Sequence, residues 1–199
     1  MLKIIKMILD YICDYYIRIV KLNKENKKNP LSIGNKPCYN TDSKKENYKG
    51  GDIMYSALDV ARYIILYYRE KKIAISNLKL QKLLYYVQGE FLSSKNECCF
   101  CDEIQAWKHG PVIPNVYFSY NSYMANPILS TQKPSSDISD TDKTIINKVL
   151  DKYEHTDAWD LVDMTHQEYP WKSVYRDDVP NIAITIDSLK RHFRGQHER

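Results

Sequence analysis

Beyond residue 54, apolar residues recur at helical spacing, and each run is bounded by a capping residue or a proline. Ser56 with Asp59 three residues on predicts a capping-box-like start, and Ala57, Ala61, Ile64, Ile65 and Tyr68 follow on one face. Leu58 and Leu66 widen that face, so this helix should be buried on much of its circumference. Ser76 predicts the cap of a second helix with an inward stripe of Leu80, Leu83, Leu84, Val87 and Phe91. Lys79, Lys82 and Glu90 fall on its other faces. Gly89 costs this helix about 1 kcal/mol relative to alanine, which predicts a close backbone approach there. Gly110-Pro111 and Ile113-Pro114 disfavour helix before each proline, so 104–113 should be extended and form a small hairpin. Pro114 suits the first position of a third helix carrying Val116, Tyr117 and Tyr120.

After a polar loop from Gln132 to Asp140, Ser139 and Asp142 predict the start of a fourth helix with Ile145, Ile146, Val149 and Leu150 inward. Thr156 or Asp157 starts a fifth, through Ala158, Leu161 and Val162, which Pro170 should end. Pro180 precedes a last element running to Phe193, with Gly195 as its stop. The pattern predicts a mainly α domain over 54–199 of about five to six helices, with a small β-hairpin around 100–113.

Residues 1–53 read differently. From 2 to 22 the segment is apolar-rich, with Lys3, Lys6, Asp10, Asp14, Arg18 and Lys21 spaced so that a helix would gather them into one stripe. From 23 to 53 periodicity is lost and the composition predicts a flexible linker, giving a helix-plus-linker extension before the domain. Lys49-Gly50-Gly51-Asp52-Ile53-Met54 can be encoded with a strong bacterial ribosome-binding sequence shortly before the ATG of Met54. The functional protein is therefore expected to begin at Met54, with 1–53 as translated upstream sequence.

Charge sharpens this division. Of 29 Lys and Arg and 25 Asp and Glu, residues 1–53 carry 11 and 6, leaving 18 and 19 for the rest. A nearly neutral domain lacks the broad attraction that supplies most non-specific nucleic-acid affinity, so no nucleic-acid partner is expected. Asp10 does not suit a signal peptide's apolar region, and no run in the domain is long and apolar enough to span a bilayer. The five cysteines form no disulfide framework, which fits a reducing, cytoplasmic setting.

Candidate chemistry is sparse. Cys98, Cys99, Cys101 and His109 offer zinc-ligand types, but adjacent cysteines and a CxC lack the paired spacing of structural sites. A nucleophile pairing Cys101 with His109 or His166 has no marked orienting group or oxyanion site. His166 and Glu168 lack the second helical ligand of an HExxH motif, and Gly50-Gly51 has no following Lys-Ser/Thr. The sequence thus predicts no catalytic group, cofactor or metal. What remains are large amphipathic side chains on short, proline-fixed segments: Trp107, His109, Tyr117 and Trp171. Each tryptophan is either a core plug or part of a rigid surface for a protein partner. Lys79 and Lys82 join the candidate contacts, against a plain reading as solvated residues.

Two long motifs carry a family resemblance. Asn77-Leu78-Lys79-Leu80-Gln81-Lys82-Leu83-Leu84-Tyr85-Tyr86-Val87-Gln88-Gly89 is followed by Ile104-Gln105-Ala106-Trp107-Lys108-His109-Gly110-Pro111-Val112-Ile113-Pro114-Asn115-Val116-Tyr117. In this order and spacing they resemble the Panacea antitoxin domain of SocA-like and GepA-like phage- and toxin-associated bacterial proteins. Ser56 to Ala61 looks like that family's opening helix, and Thr165-His166-Gln167-Glu168-Tyr169-Pro170-Trp171 like its late element. The resemblance implies a non-enzymatic antitoxin that binds and neutralises a protein toxin, often encoded next door. It also implies a second mode, delivery of the bound toxin to a cellular protease.

The alternative is a DNA-binding regulator using helices 56–70 and 77–92, with Asn77, Lys79, Gln81 and Lys82 reaching base edges. On the partner-binding reading, Lys82→Glu or His109→Ala should spare the melting temperature and weaken protection.

Overall fold

A computed structural model describes residues 54–197, with side chains through 195. The expected helix at 2–22, the linker at 23–53 and the start at Met54 bear on residues outside this range. Seven helices, one 3-10 turn and a three-stranded antiparallel sheet make up the described residues.

The first helix, α1 (Ala57–Glu70), begins where the Ser56 hydroxyl accepts the Asp59 N–H. The other half of the expected capping box is put to a different use. The Asp59 carboxylate accepts from the Ser135 N–H at 2.7 Å, the Ser136 hydroxyl and Arg62, so it ties the polar 130s loop to α1. Burial raises the Asp59 carboxyl, and these hydrogen bonds outweigh that and hold it below its ordinary value.

Helix α2 (Asn77–Ser94) is the centre of the described residues. Its Leu80, Leu83, Leu84, Val87 and Phe91 are buried as the stripe predicts, but so are most of its remaining residues. Elements pack around it on nearly every side: α1, α3 (Pro114–Tyr120), α4 (Asp140–Lys152), α5 (Ala158–Gln167) and α7 (Ile186–His197). At Gly89 the Phe193 ring of α7 lies so close that an added Cβ would stand 2.4 Å from it. Leu83→Ala, in the middle of this packing, should lower stability by about 2–5 kcal/mol in urea or thermal unfolding.

The predicted hairpin consists of β1 (Gln105–Trp107) and β2 (Gly110–Val112), joined by a turn at Lys108-His109. A third strand, β3 (Ile182–Ala183), pairs with the other edge of β1 in the order β2-β1-β3. Pro114 opens α3 as expected, and a 3-10 turn, Asn121–Tyr123, follows it. Ser139 caps α4 and Asp157 caps α5 through the Asp142 and Trp159 N–H groups.

Two helix ends differ from expectation. Helix α5 breaks at Glu168, which adopts an extended conformation, and Pro170 then sits in the first turn of a short α6 (Tyr169–Lys172). The Glu168 carboxylate turns inward and accepts the Tyr85 hydroxyl at 2.6 Å and the Tyr86 hydroxyl at 3.1 Å, with His192 of α7 3.4 Å away. That anchorage gives the break a reason: the chain leaves helical geometry where its side chain is needed by α2. Gly195, expected to stop the last helix, lies inside α7, where nothing crowds an added Cβ. Among the described residues no helix is long and apolar enough to cross a membrane.

Candidate functional site

The polar side chains of the first motif, Asn77 to Gly89, do not face solvent; they hold later parts of the chain. Asn77 donates to the Tyr117 carbonyl at 3.0 Å, and Gln81 donates to Asn77 while accepting the Ile113 N–H at 2.9 Å. The Lys82 ammonium donates to the Pro111 carbonyl at 2.9 Å. Gln88 accepts the Cys99 and Phe100 N–H groups and donates back to the Phe100 carbonyl. A buried backbone group must find a partner, and a non-helical segment such as 99–113 has few of its own. Polar side chains of α2 therefore fasten the stretch from Cys99 to Tyr117, the second motif included, to the first motif.

This corrects the expected placement of both lysines. Lys82 is 0 % exposed and Lys79 7 % exposed. The Lys79 ammonium donates to the Glu154 carbonyl at 2.7 Å and lies over the Tyr68 ring. Neither is a solvated-face residue, because α2 is central rather than two-sided. Burial pulls the Lys82 ammonium from 10.5 down to about 7. The regulator reading fails on the same observation: Asn77, Lys79, Gln81 and Lys82 are all buried and cannot reach base edges.

The remaining candidates gather around the hairpin. Trp171 is 9 % exposed, donates to the Trp107 carbonyl at 2.9 Å and is stacked between His166 at 4.0 Å and Tyr175 at 4.4 Å. It is a core plug that ties α6 to β1. Trp107 is half-buried, with its ring edge-on to Tyr117 at 5.0 Å and its indole N–H donated to Gln105. Tyr117 in turn contacts Phe118. His109 is exposed at the hairpin turn and meets the ring of Trp159 edge-on at 5.3 Å. Burial, then the Lys108 and Lys82 charges, hold His109 below its ordinary value; burial and Lys82 do the same to His166.

Trp159 was not among the predicted site residues. Its signal was available: Ala158, Leu161, Val162 and Thr165 define the inward side of α5, which leaves Trp159 pointing outward. Beside the N-terminus of α5 lies an open groove of about 390 Å³, bordered by Ala74, Lys79, Pro127, Glu154 and Asp157. No group of three or more potential metal ligands comes together among the described residues. Cys99 is buried, and burial pushes its thiol far above its ordinary value.

The comparisons with known proteins agree with this architecture's motifs. Residues 80–172 match the family described as antitoxin SocA-like, Panacea domain. Over 144 residues the chain is 48% identical to Antitoxin SocA of Caulobacter vibrioides (strain NA1000 / CB15N), covering 62% of this chain and 74% of that protein. No solved structure matches. The chain belongs to the SocA-like antitoxin family of Panacea-domain proteins.

Proposed function

We propose that this protein is the antitoxin of a type II-like toxin–antitoxin pair and neutralises a cognate protein toxin by direct binding in the cytoplasm. The toxin is the product of an adjacent gene, and residues 54–199 carry the activity. The observation that carries this reading is the 48% identity to a protein named as an antitoxin. The geometry supports it in a second way. The charged and amide groups of the first motif are engaged inside the fold, while aromatic side chains stand at the surface around the hairpin. Such side chains are the type enriched among contact hot spots, and proline-fixed segments lower the ordering cost of contact.

The test is growth. Inducing the neighbouring gene alone should arrest cells, and co-expressing this chain, whole or as 54–199, should restore them. A harmless neighbour, or arrest that persists despite soluble antitoxin, would count against the proposal. Toxin half-life in the same strains reports on hand-over to a cellular protease: shortening only when the antitoxin is present would indicate delivery rather than inhibition alone. The domain should also show no salt-dependent affinity for its own promoter above background, because its cations and carboxylates are balanced. Tight, sequence-selective binding in a mobility-shift assay would reverse that expectation.

A further inference from the structure

Helix α5 carries an outward face that the fold does not use. Trp159, Asp160, Asp163, Met164 and Gln167 are all exposed. At the pitch of an α-helix they fall within an arc of about 140°. Ala158, Leu161, Val162 and Thr165 occupy the opposite side and face the core or its margin. A single exposed apolar residue needs no explanation. Here, however, Trp159 at 57 % exposure and Met164 at 40 % share one face with two carboxylates. Asp157, Asp160 and Asp163 form no ion pair among the described residues, and Asp157 also borders the groove at the start of the helix. The Trp159 ring is not loose, because the hairpin places His109 edge-on against it. An anchor already held in position loses less freedom on binding.

Resting on the proposed antitoxin function, we propose that this face of α5, with His109 at its edge, is the surface that holds the toxin. Its occupant is a segment of the toxin bearing lysine or arginine side chains around an apolar tooth. Trp159 and Met164 receive the tooth, and Asp160 and Asp163 meet the cations. Nucleic acid and anionic lipid do not fit, since the carboxylates would repel their phosphates. Rim charges of this kind act chiefly on encounter rate and salt dependence, whereas a desolvated tryptophan acts on the lifetime of the complex.

The experiment uses the full chain and the purified product of the adjacent gene, in a binding titration at two salt concentrations. Trp159→Ala should weaken the complex by about thirty-fold or more, as hot-spot truncations do. Asp160→Lys with Asp163→Lys should weaken it at low salt and abolish the loss of affinity that added salt causes in the natural chain. Because these side chains are exposed, each variant should keep the helical signal of the natural chain and lose little in melting temperature, the lysine at position 160 slightly more because it opposes the dipole in the first turn of α5. Leu129→Ser, at a residue 76 % exposed in a different loop, should bind unchanged. Unaltered binding by both α5 variants overturns the assignment of this face while leaving direct neutralisation standing. A change in the mass of the free protein, with toxin binding untouched, overturns it too, since the occupant would then be a second copy of this chain. If the natural chain itself forms no complex, the direct-binding reading fails first.

Discussion

Replacing Lys82 by glutamate should unfold the domain. The side chain is wholly enclosed, and its ammonium donates to the Pro111 carbonyl. An ionised carboxylate there cannot donate and would face a carbonyl oxygen, so the group must either stand as an unpaired buried charge or take up a proton far from its ordinary pKa, and both cost stability. A buried group left without its hydrogen-bond partner costs about 1–3 kcal/mol, and more when it is charged, a large part of the stability of a typical domain. The same burial gives a sharper test through Lys82→Met, which keeps the volume and removes the proton. In the natural chain the folded ammonium is held at about 7 against an ordinary 10.5. Between those values the unfolded chain binds the extra proton, so stability should rise with pH there. The slope is at most about 1.4 kcal/mol per pH unit for one group. Cys99 and the buried tyrosines, all raised by burial, oppose this above roughly pH 8.5 to 10, so the useful window is about 7 to 8.5. Urea unfolding across that window should show the rise for the natural chain and a distinctly shallower one for Lys82→Met, the remainder coming from Lys79, His109 and His166, whose folded forms burial also lowers.

Gly110→Ala should be nearly as damaging, by about 3 kcal/mol or more, from two causes that can be separated. Gly110 has φ +94°, a conformation that a side chain disfavours. An added Cβ would also stand 2.6 Å from Lys82 Cε and 2.7 Å from Thr165 Oγ1. If overlap with Thr165 dominates, the same substitution made in a Thr165→Ala background should cost distinctly less. If the backbone or the overlap with Lys82 dominates, the two costs should add. An alanine tolerated without loss of stability in either background would contradict the geometry of the hairpin.

Much of this was legible locally. The apolar stripe of α2, the caps at Ser56, Ser76, Ser139 and Asp157, and the hairpin whose second strand holds Gly110-Pro111 and stops before Pro114 all follow from rules that act over a few residues. What local rules could not supply was the position of α2 at the centre. A helix with polar residues off its apolar stripe normally shows them to water, so Lys79 and Lys82 read as surface groups. Their partners are carbonyls of Glu154 and Pro111, 75 and 29 residues further on, and no periodicity reports such pairs. The two-residue β3 is too short to leave a pattern, and the break at Glu168 depends on tyrosines more than 80 residues earlier. Among the candidate contacts, Trp171 resolves as a core plug and His109 as an exposed group. Trp159 was within reach of a helical wheel drawn on α5.

The most direct measurement of the central claim is the mass of the species formed by the full chain and the purified product of its neighbouring gene. Size-exclusion chromatography with light scattering, run as one protein is titrated into the other, supplies it. The account predicts one complex of fixed stoichiometry, saturating at the ratio where the toxin's growth arrest is relieved. Two proteins eluting separately at every ratio, in cells and extracts where protection nevertheless persists, would contradict neutralisation by contact.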